Sequence, residues 1–178
     1  MKIYKIAQEI EIFRGDPSPI NLDEYDFEYA KKQGKELGGS MAYGPGIYFA
    51  TAKDIANMYG NNITSKNINP NANILSENEQ KLNRNKIMQI IDSIDSETVE
   101  TASMNWDENV YIGKQMLVNS IMSADNPVDQ LMNIWAEVFY HQNPNTFINT
   151  MIKNNIDGIS KTKEDTTYFV IYNRKMLI

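Results

Sequence analysis

An α+β fold in one domain is what this sequence predicts, and three observations carry that expectation. Residues 8–14 alternate polar with apolar residues, the period of a half-buried strand. From Ser76 to about Asn155 the apolar residues change to the helical period. The last apolar run, Tyr168-Phe-Val-Ile-Tyr172, must pair with strands from the other end of the chain to be buried. No linker, internal repeat or low-complexity tail divides the chain, so residues 1–178 read as one domain with a helical block at about 76–155.

The elements follow in order. Residues 8–14 alternate as a strand and run into the turn Gly15-Asp16-Pro17. Residues 22–36, charged and rich in tyrosine, suggest a short helix or an irregular surface segment before Gly34, Gly38 and Gly39. Ile47-Tyr-Phe49 is an apolar strand. Residues 51–58 then read as a helix start, with Thr51 as a cap and Ile55, Ala56 and Met58 on an apolar side. Residues 61–75 suggest a strand broken near Asn69-Pro70 and a second short strand. In the helical block, Ile87, Ile90, Ile91 and Ile94 form one stripe, and Tyr111, Gln115, Leu117, Val118 and Ile121 lie in a second run. Asp125-Asn126-Pro127 is a cap with proline at the first helical position, followed by Val128, Leu131, Met132, Trp135, Val138 and Phe139. A fourth face, Phe147, Met151 and Ile152, follows Pro144 and closes near Asp157-Gly158. These stripes are expected to be core. Gly158-Ile-Ser, a polar turn over Lys161–Thr167, and the 168–172 strand complete the chain.

The composition narrows the chemistry. With 42% hydrophobic and 22% charged residues, 178 residues suffice for a real core in a soluble protein. No apolar run is long enough to span a membrane, and the first residues lack a signal-peptide core, so a cytoplasmic protein is expected. The absence of cysteine excludes disulfides and thiolate metal sites, and a single histidine, His141, excludes a histidine-rich metal cluster. No metal is expected. A net charge of −6 and the lack of a basic face argue against nucleic acid as the partner.

The stretch Tyr43 to Tyr59 carries the functional signal. Glycines at 44 and 46 lead into a strand bearing Tyr48, and a polar corner leads to Tyr59 eleven residues later. Two tyrosines across such a corner can face each other as jaws, and their electron-rich rings suit a flat, electron-poor, cationic ring such as the nicotinamide of NAD. Gly44-x-Gly46 alone resembles half of a dinucleotide-binding turn, but in that turn the glycines open a helix, whereas here they open a strand.

Taken with Phe13-Arg14-Gly15, the arrangement resembles the ADP-ribosyltransferase superfamily, with poly(ADP-ribose)-polymerase-like and phage or mobile-element members nearest. Ile12-Phe13-Arg14-Gly15 looks like the family's first station, Gly44-Pro-Gly-Ile-Tyr-Phe49 with Tyr59 like its second, and Asp157-Gly-Ile-Ser through Tyr168-Phe-Val-Ile-Tyr-Asn173 like its third. The likeness covers roughly residues 10–75 and 145–178. It implies a split mixed or antiparallel sheet with a helical insertion between early and late strands. It also implies NAD contacts from Arg14, Gly15, Gly46, Tyr48, Phe49 and Tyr59. Arg14, one of three arginines, would grip a ribose hydroxyl or the diphosphate with its planar fork, and Gly15 would admit the carboxamide to its backbone. Two departures stand out. Ala56 occupies the place of a common family serine, one hydrogen bond fewer and about 1 kcal/mol. The family glutamate's place falls on Tyr168, with Glu164 and Asp165 just upstream in a turn that could fold back over the ribose. A carboxylate there would stabilise positive charge developing on the ribose.

The resemblance thus implies a mono-ADP-ribosyltransferase moving ADP-ribose from NAD to a protein acceptor, with Arg14, Tyr48, Tyr168 and Asp165 or Glu164 as catalytic residues. It further implies a phage or mobile-element effector acting on host machinery, including immune complexes, in the cytoplasm of the host cell. An NAD-binding module with weak or no catalysis and an NAD-dependent RNA 2′-phosphotransferase are the alternatives. The second needs more basic residues than Arg14 and Arg174 supply.

Overall fold

The computed structural model describes residues 4–5, 9–30, 44–76, 83–97, 110–128, 130–131 and 144–178. Within them a seven-stranded mixed sheet forms from β1 (Tyr4–Lys5), β2 (Ile10–Asp16), β3 (Ile47–Ala50), β4 (Asn62–Ile68), β5 (Asn73–Ser76), β6 (Gly158–Lys163) and β7 (Thr166–Ile171). Their order across the sheet is β1-β5-β6-β7-β3-β2-β4. Neighbours are antiparallel except β5 and β6. The late hairpin β6–β7 is thus inserted between early strands, as the burial of the 168–172 run requires. The fold class is α+β.

Helices α1 (Lys53–Asn57), α2 (Arg84–Asp92), α3 (Val110–Ser123) and α4 (Pro144–Lys153) accompany the sheet. The helical block therefore lies between β5 and β6. In α2 the side chain of Asn83 accepts from the amides of Asn85 and Lys86, and Ile87, Ile90, Ile91 and Ile94 are buried as their spacing predicts. Each such burial contributes about 1.5–3 kcal/mol. Leu117, Val118 and Ile121 form the buried side of α3. Asn126 accepts a helical bond from the Gln130 amide, with Pro127, Val128 and Leu131 buried beyond it. In α4, Phe147 and Met151 are buried, but Ile148 fills the place expected of Ile152, which is exposed. Residues 132–143, with Met132, Trp135, Val138, Phe139 and His141, and residues 31–43, with their three glycines, lie outside the described residues.

Three local expectations are corrected. Thr51 does not cap α1: Ala52 holds the cap position without a side-chain bond, and the Thr51 hydroxyl accepts from the Thr167 amide at 3.0 Å. The tie to β7 uses the oxygen a cap would need. Met58 is exposed and not on the buried side of α1, because the helix ends at Asn57; Ala56 alone is fully buried there. The polar turn expected over 161–167 is only Glu164-Asp165, since β6 continues to Lys163 and β7 starts at Thr166. Polar residues there are in ladder register, and the Thr162 and Thr167 hydroxyls meet at 3.1 Å. Segment 22–36 begins with a 3-10 turn at Leu22–Glu24, and residues 27–30 form one further helical turn.

Candidate functional site

Register decides which side chains share a face. Residues paired across neighbouring strands point the same way, and successive residues along a strand point to opposite faces. Phe13 pairs with Ala50, Ala50 with Tyr168, and Tyr48 with Val170. One face therefore carries Phe13, Gly15, Tyr48, Ala50 and Tyr168. The opposite face carries Ile12, Arg14, Asp16, Ile47 and Phe49. The early motif residues are thus divided between two sides of the sheet.

On the first face α1 lies directly on β2. A Cβ on Gly15 would fall 1.9 Å from the Ala56 carbonyl oxygen, and one on Gly60 would fall 2.1 Å from the Asp16 carbonyl carbon. Two glycines in sequence positions far apart allow backbone to rest on backbone. Tyr59 immediately precedes Gly60 and is 66% exposed, so it stands beside the end of β2 with its ring accessible. Tyr48 is half-buried, and its hydroxyl donates to the Gly44 carbonyl at 2.6 Å.

The strands that carry Gly15 and Tyr48 are barely joined. Between β2 and β3 the ladder consists of Phe13↔Ala50 alone, whereas β3 and β7 pair from Ile47↔Ile171 to Ala50↔Tyr168. The Thr51 amide bonds to Thr167, which by alternation turns the backbone groups of Tyr48 and Ala50 toward β2. The amide and carbonyl of Gly15 correspondingly turn toward β3. A continuing ladder would join Gly15 to Tyr48; instead the Tyr48 carbonyl accepts from Arg14 Nη1 at 3.4 Å.

Arg14 sits on the other face, with its fork already occupied. Nε donates to the two Asp16 oxygens at 3.1 and 2.9 Å, and Nη2 reaches Oδ1 at 2.7 Å. The two side chains are 16% and 7% exposed. The guanidinium lies 5.1 Å from the centre of the Tyr25 ring, Tyr25 meets Phe27 edge-on at 5.2 Å, and Arg174 lies 5.6 Å from the Phe27 ring. Arg174 also bonds the carbonyls of Leu22 and Asp23, clamping this segment to the sheet. Burial pushes the Tyr25 hydroxyl above the usual tyrosine range, against the opposing pull of Arg14.

The remaining predicted residues divide. Tyr168 shares the face of Tyr48, diagonal to it across β7, so the two are brought together. Phe49, expected at the cofactor, is 3% exposed and belongs to the core on the opposite face. Gly46 is buried because a Cβ there would fall 2.3 Å from a Val170 methyl, a packing need. Glu164 and Asp165 form the exposed tip of the β6–β7 hairpin. The strands run on past β3, so the tip does not fold back. Asp165 lies five residues from Val170, the partner of Tyr48, or about 16 Å along the strand.

The structural roles of three further residues were not read from the sequence. Asp16 was expected in a turn with Gly15 and Pro17, but β2 runs on through Gly15 and Asp16 to pair with Ile63 and Asn62, so Arg14 and Asp16, two apart on one strand, share a face. Asp157 is a buried latch, its Oδ2 accepting from the Asn73 amide and its Oδ1 from Asn173 Nδ2, at 2.9 and 2.7 Å. Tyr172 is 1% exposed, stacks edge-on against Phe147 at 5.4 Å, and its hydroxyl finds no hydrogen-bond partner among the described residues. Burial, and after it the nearby Tyr48, push its ionisation well above the usual range.

Among the described residues no group of His, Cys, Asp and Glu is placed to hold a metal ion, and no helix is long and apolar enough to cross a membrane. No family model matches the chain, and no curated protein matches it in sequence. Among solved structures, the crystal structure of an anti-CRISPR protein aligns over 93% of this chain and 91% of its own, with 14% identity and a TM-score of 0.38.

Proposed function

We propose that this protein binds NAD by its nicotinamide ring in the gap between β2 and β3 and transfers ADP-ribose to a protein acceptor, releasing nicotinamide. The observation that carries the reading is the single-pair joint between these strands. It turns the Gly15 backbone toward Tyr48, with α1 and Tyr59 close by. An amide N–H and a carbonyl in that position match the two needs of a carboxamide, one acceptor and one donor. Tyr48 and Tyr59 supply π-faces for a cationic ring, a contact that strengthens when water is excluded. Nicotinamide leaves as a neutral molecule from a cationic ground state, so the bond is activated before any protein group acts. The acidic balance of the chain, −6, favours a protein acceptor over nucleic acid.

Titration calorimetry with NAD tests the binding step. Tyr48→Ala should weaken affinity by about 1–3 kcal/mol through lost stacking and cation–π contact. Unchanged affinity in the folded variant removes the nicotinamide site from this gap. One observation favours a second reading, an NAD-binding module without turnover: Glu164 and Asp165 stand at the hairpin tip, far along β7 from Tyr48. A nicotinamide-release assay at saturating NAD separates the two. Turnover that falls about 10²-fold or more in Tyr168→Phe or Asp165→Ala selects the transferase. Binding without any release selects the module.

A further inference from the structure

Arg14 is aimed away from the face that carries Tyr48 and Tyr168, yet its Nη1 crosses from β2 to bond the Tyr48 carbonyl. We infer that Arg14, held by Asp16 and Tyr25, is a strut that sets the position of Tyr48 from behind the sheet and does not itself touch NAD. The inference rests on the proposed nicotinamide site and gives Arg14 a different task from the ligand anchor that the sequence suggested.

Three observations support it. The carboxylate of Asp16 engages Nε and Nη2, the edge of the fork a diphosphate would use, at 2.7–3.1 Å. Asp16 is itself buried, so releasing Arg14 to a ligand would leave an uncompensated buried carboxylate. The Tyr25 ring covers the guanidinium at 5.1 Å and is anchored in turn through Phe27 and Arg174. With two sides of the cation occupied, Nη1 points to the Tyr48 carbonyl, at the position where the backbone ladder has stopped. A planar cation fixed at both ends holds that carbonyl at a set distance and so keeps the gap open to a fixed width. Lysine cannot do this, because an ammonium lacks the fork that binds Asp16 while reaching Tyr48.

The strut and the anchor predict opposite ligand profiles. Nicotinamide, ADP-ribose and NAD are each titrated into wild type, Arg14→Lys and Tyr25→Leu. A strut acts only through the ring site, so Arg14→Lys should weaken nicotinamide and NAD by the same factor, about tenfold, and leave ADP-ribose unchanged. Tyr25→Leu removes the ring that covers the guanidinium, and should show the same pattern at about threefold. Loss of ADP-ribose affinity with nicotinamide unchanged overturns the strut and restores the anchor. If Arg14→Lys does not fold, the Tyr25→Leu profile decides. If wild type binds neither nicotinamide nor NAD, the functional reading fails, and the strut is then judged by hydrogen exchange. In Tyr25→Leu the Ala50 amide, which faces β2, should exchange faster while Ile12 on the β4 side is unaffected. Equal rates at Ala50 in the variant and wild type overturn the strut on that measure.

Discussion

Strand β2 is held very differently along its two sides. Toward β4 its pairing is continuous from Ile10↔Ile68 to Asp16↔Asn62, and beyond β4 Leu177 lies in register with Ile68 while Ile178 and Asn67 exchange two backbone hydrogen bonds. Toward β3 the ladder is one pair, with a guanidinium standing in for the next rung. A full ladder satisfies every backbone group and leaves nothing for a ligand. At the joint with β3 the ladder stops after one pair, and a buried ion pair on one face and a helix resting on glycine on the other flank it. The closed joint explains stability. The open joint is where the nicotinamide site is proposed.

The largest effect expected from disturbing the open joint is at its helix contact. Gly15→Ala puts a methyl 1.9 Å from the Ala56 carbonyl oxygen, and backbone cannot yield as a side chain can. A loss of about 3 kcal/mol or more is expected in urea unfolding, with Gly60→Ala close behind. A Gly15→Ala protein as stable as wild type would mean that α1 does not rest on β2 as described.

Breaking the charge pair behind the gap should come next. Asp16→Ala leaves Arg14 without its fork partner and should cost about 2–3 kcal/mol. The same substitution at Glu11, whose carboxylate meets the exposed Ser65 hydroxyl, should cost less than about 1 kcal/mol. Similar losses at the two sites would remove the contrast between a buried pair and a surface one.

Tyr172→Phe should act in the opposite direction. Its hydroxyl is buried without a partner among the described residues, so removing it should stabilise the protein by about 1 kcal/mol, read as a rise in Tm. The pH dependence has a definite sign. The folded tyrosine holds its proton above the ordinary value of 10.0, while the unfolded chain loses it there. Stability is therefore full below that pH and falls as pH rises beyond it. Tyr172→Phe should flatten this alkaline fall, and Tyr25, raised in the same direction, should account for part of what remains. An alkaline limb identical in wild type and the Tyr172→Phe variant would show that the hydroxyl is solvated.

The smallest effect belongs to the hairpin tip. Glu164 has a φ of 55°, a conformation that costs a residue with a Cβ about 1 kcal/mol. Glu164→Gly should stabilise by about 0.5 kcal/mol after the entropy cost of glycine is counted. If it also abolishes nicotinamide release, Glu164 is catalytic despite its distance along the strand from Tyr48.

Local pattern was enough for much of the fold. The isoleucine stripe of α2, the break between β4 and β5 at Asn69-Pro70, and the start of α4 at Pro144 follow from period, turn chemistry and proline geometry, which act within a few residues. The need of the 168–172 run for an early partner was also legible, since an apolar strand cannot stay unpaired in water. Which partner it took was not. Only the assembled sheet placed β7 between β3 and β6, and only that register put Tyr48 with Tyr168 while sending Arg14 and Phe49 to the other side. A motif read along the chain gives residue types and spacings. It carries no information on which face an unpaired strand will turn inward, because that choice depends on pairing energies summed over distant strands. The Arg14–Asp16 contact lies between these limits. Strand alternation puts both on one face once β2 is known to run through Asp16, where a turn was expected, and the burial of the pair came from Tyr25 and the segment clamped by Arg174, which no local pattern foretold.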